Sequence, residues 1–263
     1  RLREIAQEGD EVVLTTSVGE IRARTVVGAD GSSGITSHYV GAAFEQVDLG
    51  LEVELDVPAV VRDQWRGRLH LDFGRVAGSY AWVFPKGDTL TVGAIAAKGN
   101  SAWEKRYLDA FLASLGLDGY VTRPAAGHVT HCRRDSSPLS RGRVLLCGDA
   151  AGLMEPWTRE GISFALRSGH VAGKAAAALV ADAATVASVT RSYADQIDST
   201  LGAEMRGGRD LFGVFERHPR AFHLALARTG TGWRAFERLS RSDTTFARVM
   251  NRRVARVAVR VFG

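Results

Sequence analysis

A short apolar run that ends in a glycine and an acid constrains the fold of this chain more than any other feature. Residues 144–147 are four apolar residues, too few for a helix, and Gly148 ends them, so they predict a buried strand followed by a tight turn. Asp149 lies at the carboxyl end of that strand. An alanine- and glycine-rich run opened by Gly161 and Ile162 predicts a long helix whose first amides lack internal partners. Open α/β folds bind cofactors at such strand ends, and a helix start favours an electron-rich ligand.

Residues 144–162 resemble the second flavin-contacting motif of the geranylgeranyl reductase family, a part of the para-hydroxybenzoate hydroxylase-like FAD-dependent oxidoreductases. The resemblance implies that Asp149 hydrogen-bonds the ribityl chain of FAD, with Gly148 in the preceding turn. It also implies that the amides around Gly161 and Ile162 face the pyrimidine edge of the flavin. The alternative is a plain strand–loop–helix crossover in which the aspartate only caps the helix.

Two residues of this stretch depart from the family's pattern. Arg159 stands where the family commonly has a glycine, and Glu155 precedes Pro156 where an asparagine is common. An arginine beside the flavin's pyrimidine ring would stabilise an anionic reduced flavin, which is our hypothesis for Arg159. The alternative is that it fills a site that no longer works.

A second turn of the same kind lies near the start of the chain. Residues 12–17 and 21–27 predict a hairpin, and its second strand runs into Asp30, Gly31 and further small residues up to Gly34. Asp-Gly turns are common, so a plain turn is one interpretation. Together with Gly148 and Asp149, however, Asp30 and Gly31 resemble the family's Asp-Gly motif, which contacts the phosphate side of the cofactor.

The GxGxxG fingerprint with which such flavoproteins begin does not occur in this sequence. In that fingerprint a helix start holds the pyrophosphate of the cofactor. By resemblance the chain therefore corresponds to the C-terminal part of such an enzyme, after its first βαβ unit. We expect this polypeptide alone to bind FAD weakly or not at all.

The segment between the two turns has a different pattern of apolar and polar residues. Its short alternating runs are separated by Gly, Pro and Asp and predict a mostly antiparallel sheet, with strands at residues 50–57, 68–73, 79–85 and 89–97. Alternation places the rings of Tyr80, Trp82 and Phe84 on one face of that sheet. An ordinary core face packed on a helix at residues 102–115 is the simpler interpretation of three such rings.

The spacing of these rings carries a second resemblance. Tyr80, Trp82, Phe84 and Pro85, followed by Gly93 in the next strand, resemble the prenyl-binding signature of geranylgeranyl reductases. The resemblance implies that these residues bind an isoprenoid or another lipophilic small molecule. Tyr80 is then either a proton donor or part of the apolar wall of the substrate site, and we favour the second role.

The expected architecture is α/β (α+β): the C-terminal part of a para-hydroxybenzoate hydroxylase-like FAD-binding fold with an inserted substrate sheet and a helical C-terminus. With 263 residues, 45% of them apolar, the chain is long enough for one large domain or two smaller ones. We expect a partial FAD-binding domain at residues 1–43 and 137–181, a substrate-binding domain at 44–136 and a C-terminal helical region at 182–263.

No catalytic residue and no metal site is predicted. His128 and His131 lie three apart on a probable strand and so face opposite sides, which argues against a shared metal. Cys132 and Cys147 are too few for a disulfide framework and are interpreted as packing residues, consistent with a reducing cytoplasm.

The net charge of +5 is unevenly distributed, with 13 Arg and only 5 acidic residues from Leu201 onward. A nucleic-acid-binding protein would usually spread its basic residues over one face, so a nucleic-acid partner is not expected. A helix from Thr244 to Phe262 would carry an arginine at every fourth position from Arg248 to Arg260. It either docks on its own domain or lies on an anionic bilayer, so the expected location is cytoplasmic with possible peripheral membrane contact.

The sequence thus predicts an FAD-dependent reductase of isoprenoid C=C bonds, with NAD(P)H or a ferredoxin-like carrier as the electron source. By resemblance, hydride passes from reduced FAD to one alkene carbon and a proton reaches the other. An FAD-dependent monooxygenase that hydroxylates its substrate is one alternative, because the same fold and flavin motifs serve that chemistry. The other is a non-catalytic remnant that keeps an apolar pocket.

Overall fold

The computed structural model describes residues 1–73, 78–99, 101–120, 126–182, 184–241 and 243–251. Its chain contacts define two compact units: a first unit of Arg1–Gln46 with His131–Gly263, and a second unit of Val47–Thr130. The expected boundaries at residues 44 and 136 lie close to these. The functions assigned to the predicted domains stay predictions.

The first unit contains two small sheets. An antiparallel sheet has the order β1 (Leu2–Glu8), β2 (Glu11–Thr16), β3 (Gly19–Ala23). A second sheet has the order β10 (Ser140–Arg141), β11 (Val144–Leu146), β4 (Val26–Gly28), in which β11 and β4 run parallel. The residues of β11 are fully buried, as the unbroken apolar run predicts for a central strand.

The predicted strand at residues 21–27 is divided in the structure. Its first half, β3, pairs with β2, whereas its second half, β4, leaves the hairpin and pairs with β11. The side chain of Thr25 donates a hydrogen bond of 2.9 Å to the carbonyl of Arg143 at the crossing point. An apolar alternation can continue through such a change of sheet, so the periodicity alone did not reveal it.

A buried arginine ties the end of this crossing to the following helix. Arg143 donates to the carbonyl of Leu179 at 3.0 Å, and its guanidinium lies 3.3 Å from a carboxylate oxygen of Asp10 and 3.4 Å from one of Asp182. Burying a guanidinium is costly unless its donors find acceptors. The terminal nitrogens of Arg143 find them, and these contacts hold strand, hairpin and helix end together, although its Nε has no partner among the described residues.

Helices make up the rest of the first unit. In chain order they are α1 (Ile35–Val40), α4 (Ile162–Val180), α5 (Val186–Ile197), α6 (Ala203–Arg217), α7 (Pro219–Arg228), α8 (Gly230–Ser240) and α9 (Phe246–Met250). Helices α5 and α6 form one continuous run, joined by a wide turn at Asp198–Gly202. It ends at His218 before Pro219, as proline chemistry predicts.

The second unit is built on one antiparallel sheet, which confirms that the segment between the two turns is mostly antiparallel. Its order is β6 (His70–Phe73), β7 (Tyr80–Lys86), β8 (Thr89–Ala97), β5 (Phe44–Asp56), β9 (Ala126–Arg133). Helix α2 (Ala59–Trp65) follows β5, and helix α3 (Ser101–Ser114) supplies Tyr107, Leu108 and Phe111 to the same core cluster as β7 and β8.

None of the helices in the described part of the chain has the length and apolar content that crossing a bilayer requires. The helix expected from Thr244 to Phe262 is described only at α9, because residues 252–263 lie outside the described residues.

Candidate functional site

The two glycine-rich turns lie at the same edge of one parallel strand pair. β4 and β11 pair in register, Val26 opposite Val144 and Gly28 opposite Leu146. The amide of Cys147 continues the pairing with a hydrogen bond of 3.0 Å to the carbonyl of Gly28. The carboxyl ends of parallel strands meet at one edge of a sheet, which is where α/β folds hold ligands.

Gly148 begins the turn after β11 in a conformation that favours glycine. Its φ is 54°, and a Cβ added there would lie 3.2 Å from the Cβ of Ala165 on α4. Its amide donates a hydrogen bond of 2.9 Å to the hydroxyl of Ser168 on the same helix. The turn Gly148–Ala151 is therefore held directly against α4.

The structure brings Asp149 and the start of α4 together. A Cβ added to Gly161 would lie only 3.2 Å from Oδ1 of Asp149, so a side chain at this position would crowd the carboxylate. Ile162, the first residue of α4, is exposed. The carboxylate of Glu160 accepts from the amide of Ser163 at 2.6 Å and so caps the helix. Three of the predicted site residues thus lie side by side.

Asp30, after β4, has a partner inside its own loop. Its carboxylate accepts hydrogen bonds from the amide of Thr36, at 3.1 Å, and from the Thr36 hydroxyl. A Cβ added to Gly34 would lie 2.1 Å from the Asp30 carboxyl carbon, so the loop closes on this side chain. Gly31 has a φ of 77°, as a tight turn requires. These contacts fasten α1, and contact of Asp30 and Gly31 with a phosphate stays a prediction.

The side chain of Arg159 is directed at a ring of α6. It has a positive φ of 57°, unusual for a residue with a side chain. Its guanidinium donates to the carbonyl of Trp157 at 2.7 Å and lies 5.1 Å from the centre of the Phe212 ring. This cation–π contact gives Arg159 a place in the packing of the loop. Its role beside a flavin stays a prediction.

Glu155 is a buried carboxyl whose environment the sequence did not indicate. One oxygen accepts from the amide of Trp157 at 3.0 Å and from the hydroxyl of Thr158 at 2.7 Å. The other oxygen has no hydrogen-bond partner among the described residues. Burial raises the pKa of Glu155, an effect that these hydrogen bonds oppose.

The fit of Glu155 depends on a glycine far away in sequence. A Cβ added to Gly208 of α6 would lie 1.8 Å from the unpartnered oxygen of Glu155. The backbone of the loop is closed by two hydrogen bonds of 2.9 Å, from the Glu155 amide to the Glu160 carbonyl and from the Arg159 amide to the Glu155 carbonyl. The loop that leads to α4 is therefore built around this carboxyl.

In the second unit the three predicted rings lie along one face of β7. The ring centroids of Tyr80 and Trp82 are 5.6 Å apart, and those of Trp82 and Phe84 are 6.1 Å apart. Ala81 and Val83, between them, are fully buried in the core that includes α3. The alternation predicted for this strand is thus present, and Phe84 remains 36% exposed.

Gly93 explains how the indole of Trp82 lies on this sheet. Trp82 and Gly93 are opposite each other in the register of β7 and β8. A Cβ added to Gly93 would lie 2.1 Å from Cζ2 of the indole, so the ring lies across the bare backbone of the neighbouring strand. Pro85 lies opposite Leu90 three pairs further toward the turn. The glycine of the signature is a requirement of ring packing.

The histidines and cysteines show no metal geometry. Within the described ranges, no group of three His, Cys, Asp or Glu side chains is placed to hold a metal ion. The ring of His131 stacks on Phe44 with centroids 4.4 Å apart. Cys132 and Cys147 are buried in the core of the first unit and neither forms a disulfide, which agrees with a packing role.

Comparison with known proteins shows which family the chain matches. A family model described as FAD binding domain matches residues 6–196. Digeranylgeranylglycerophospholipid reductase 3 of Methanosphaera stadtmanae is 34% identical over 197 residues, which cover 71% of this chain and 48% of that protein. Digeranylgeranylglycerophospholipid reductase 1 of Methanococcoides burtonii is 28% identical over 202 residues, which cover 75% of this chain and 49% of that protein. The chain spans about half the length of these relatives.

Solved structures show the same fold at lower identity. A geranylgeranyl bacteriochlorophyll reductase-like protein from Thermoplasma acidophilum superimposes with a TM-score of 0.71 at 19% identity, covering 86% of this chain and 61% of that one. A flavin-dependent brominase superimposes with a TM-score of 0.65 at 16% identity, covering 90% of this chain and 63% of that one. These similarities confirm the expected α/β FAD-binding fold.

Proposed function

We propose, because this chain belongs to the FAD-binding domain family, that it is part of an FAD-dependent oxidoreductase that reduces C=C bonds of an isoprenoid substrate. The observation that carries the proposal is the combination of reductase-named relatives, the first of them 34% identical, with the ring-on-glycine packing of Trp82 and Gly93. The chain covers about half of those relatives, so the proposal concerns the activity of a complete reductase.

The loop residues of the first unit fit an FAD. The close approach of Asp149 to Gly161 leaves a carboxylate beside a helix start with no side chain between them. Asp149 would accept hydrogen bonds from ribityl hydroxyls, and the amides of Gly161 and Ile162 would donate to the carbonyl oxygens of the pyrimidine ring. Gly148 would hold the turn close to α4. The FAD supplies the hydride, and the residues of this chain supply binding and orientation.

The ring face of the second unit fits an apolar substrate. Trp82 and Phe84 offer aromatic surface, with the buried ring of Tyr80 next in line, and an isoprenoid gains about 0.8 kcal/mol for each CH₂ that it buries there. Such a face holds an alkene by contact alone and excludes water from it. Positioning of the two reactants then supplies much of the rate.

Two further parts of the reaction belong to the proposal. NAD(P)H or a ferredoxin-like carrier would deliver the electrons to FAD. No residue of the described chain is assigned as the proton donor. Tyr80 is assigned to the wall of the apolar site because its ring is buried and packs against Phe73 and Trp82.

The experiment that tests the proposal uses the complete flavoprotein. We expect anaerobic reduction followed by a geranylgeranyl substrate to reoxidise the flavin and to yield product with fewer double bonds. The Trp82→Ala variant should lower kcat/KM about tenfold or more through loss of apolar contact. Oxygen consumption that depends on substrate would instead identify a monooxygenase, and a colourless protein without flavin would identify a non-catalytic remnant.

A further inference from the structure

Helices α7 and α8 form a hairpin whose two backbones touch. A Cβ added to Gly232 of α8 would lie 2.4 Å from the carbonyl oxygen of Ala225 on α7. Neither helix contains a buried residue. Phe222 packs on Trp157 with centroids 5.2 Å apart, so one side of the hairpin contacts the loop that leads to α4. We call this element, residues 219–240 together with Arg241, the arginine hairpin.

Two large apolar side chains of the arginine hairpin are turned away from the core. Leu224 on α7 and Trp233 on α8 are each 57% exposed. On α7, Arg220 and Arg228 lie four residues before and after Leu224, which places all three on one helical face. On α8, Arg234 follows Trp233 directly. Apolar and cationic groups are therefore interleaved on the outer surface.

The charge of this surface is strongly positive. From Arg220 to Arg241 the chain has five arginines and one acidic residue, Glu237. The positive charge of Arg241 is balanced by two nearby carboxylates, Glu237 at 3.6 Å and Asp243 at 3.9 Å. In the part of the chain that the structure describes, no carboxylate lies within 4.0 Å of the other four, Arg220, Arg228, Arg234 and Arg238.

We propose that the arginine hairpin is a docking surface for an anionic bilayer. Trp233 and Leu224 would enter the interface between headgroups and acyl chains, where an indole is favoured because it is apolar with one polar edge. The four unpaired arginines would face lipid phosphates, each strengthening binding by about fivefold near an anionic surface. A hairpin that lies in the interface needs no spanning helix.

The mixture of side chains favours a bilayer over other polyanions. A nucleic acid would use the arginines but would leave Leu224 and the outer face of Trp233 in water. An acidic protein would need a surface complementary in shape to both helices. A bilayer accommodates both kinds of side chain without shape complementarity, since its interface is polar outside and apolar below.

This surface is distinct from the one that the sequence pattern indicated. That pattern pointed to the helix from Thr244 to Phe262, of which residues 252–263 lie outside the described residues. The arginine hairpin precedes it in the chain. The proposal therefore stands on exposure and charge at α7 and α8, independently of the tail and of the reductase function.

The test is vesicle binding by the 263-residue chain, without FAD or substrate. We expect co-sedimentation with phosphatidylserine-containing vesicles at low salt, and binding at least about tenfold weaker to pure phosphatidylcholine vesicles or at high salt. The double variant Arg234→Glu/Arg238→Glu should weaken binding by at least about tenfold. The control Arg3→Glu/Arg191→Glu makes the same charge change at exposed sites on β1 and α5 and should weaken it by less than about threefold.

A second measurement decides the case if the double variant fails to fold by circular dichroism. Lipids brominated near the headgroup should quench the tryptophan fluorescence of the bound wild type. Trp233→Phe, which alters an exposed ring, should lose most of that quenching. The proposal is overturned if the wild type does not bind acidic vesicles at low salt, if the control loses as much binding as the hairpin variant, or if quenching persists in Trp233→Phe. Failure would leave the reductase proposal untouched, because neither measurement involves the flavin.

Discussion

At the scale of single residues, the site depends on glycines that let a neighbouring side chain approach the backbone. Gly93 carries the indole of Trp82, Gly161 lies beside the Asp149 carboxylate, and Gly208 leaves room for Glu155. In each case the space that a Cβ would occupy lies against the side chain of a site or buried residue. A substitution at these positions should therefore change the site before it changes the fold.

The first prediction concerns Gly93→Ala. The added methyl would overlap the indole of Trp82, so the ring must leave its place, at a cost of about 1–3 kcal/mol in the free energy of unfolding. Gly50→Ala is the control, because a Cβ at Gly50 meets no atom closer than 3.7 Å. Urea denaturation should show a loss for the first variant and little change for the second. Equal effects would mean that the ring does not lie on Gly93.

The second prediction concerns the pH dependence that Glu155 contributes. Burial raises its pKa in the folded protein, whereas the unfolded chain releases the proton near about pH 4.3. The stability associated with this proton is complete below the unfolded pKa and is lost as the pH rises through the folded pKa. The Tm of Glu155→Gln should therefore improve relative to wild type as the pH is raised from about 4 to 8.

The matched control for Glu155 is Glu216→Gln, an exposed glutamate on α6. Its Tm should follow that of the wild type at every pH. If the curves of Glu155→Gln and wild type also run parallel, the carboxyl is ionised at no cost and the assignment of a buried, proton-holding group is wrong.

At the scale of elements, the sequence predicted most of the strands and helices but not the changes of partner between them. The apolar run at β11, the long helix α4 and the alternating strands of the second unit all follow from periodicity. The division of residues 21–27 between two sheets does not, because it depends on Thr25 meeting Arg143 more than a hundred residues later. The family resemblance identified the loops, and the comparisons confirm that family.

The residue roles inside the loops were less accessible from the sequence. Asp30 is fastened by Thr36, and the burial of Glu155 depends on α6, so both environments arise from packing that no local pattern encodes. The departure of Glu155 and Arg159 from the family's pattern was the available signal. It marked these two residues without indicating that one is buried and the other lies over Phe212.

The third prediction tests how α9 docks on α6. A Cβ at Gly207 would lie 2.8 Å from the backbone carbon of Phe246, so Gly207→Ala should push α9 away and destabilise the first unit by about 1–3 kcal/mol. Gly213→Ala on the same helix meets only the flexible end of Arg217, at 3.2 Å. It should stabilise the protein by up to about 1 kcal/mol through helix propensity. Thermal unfolding of the pair would contradict this docking if both variants moved in the same direction.

At the scale of the whole molecule, the predicted cofactor residues and the ring face occur in different units of the chain. Asp149, Gly161 and Ile162 belong to the first unit, and Tyr80, Trp82 and Phe84 to the second. The chain also covers only about half of its reductase relatives. The reductase activity therefore stays a proposal, while binding can be measured on this chain.

The fourth prediction is that the 263-residue chain alone binds FAD weakly, because the sequence contains no GxGxxG turn for the pyrophosphate. Equilibrium dialysis should give a Kd weaker than about 10 μM. Asp149→Ala should weaken the remaining binding further, whereas Asp195→Ala, an exposed carboxylate on α5, should not. Tight stoichiometric binding by the wild type would contradict the prediction.

The parallel pairing of β4 with β11 also dictates an order of events during synthesis. Val26 and Val144 are partners although 118 residues separate them, and the whole second unit is encoded in between. A ribosome therefore releases every strand of the second unit before the partner of β4 exists. The antiparallel sheet can form before β4 has a partner strand. The loop closure that joins β4 to β11 then becomes a late step of folding.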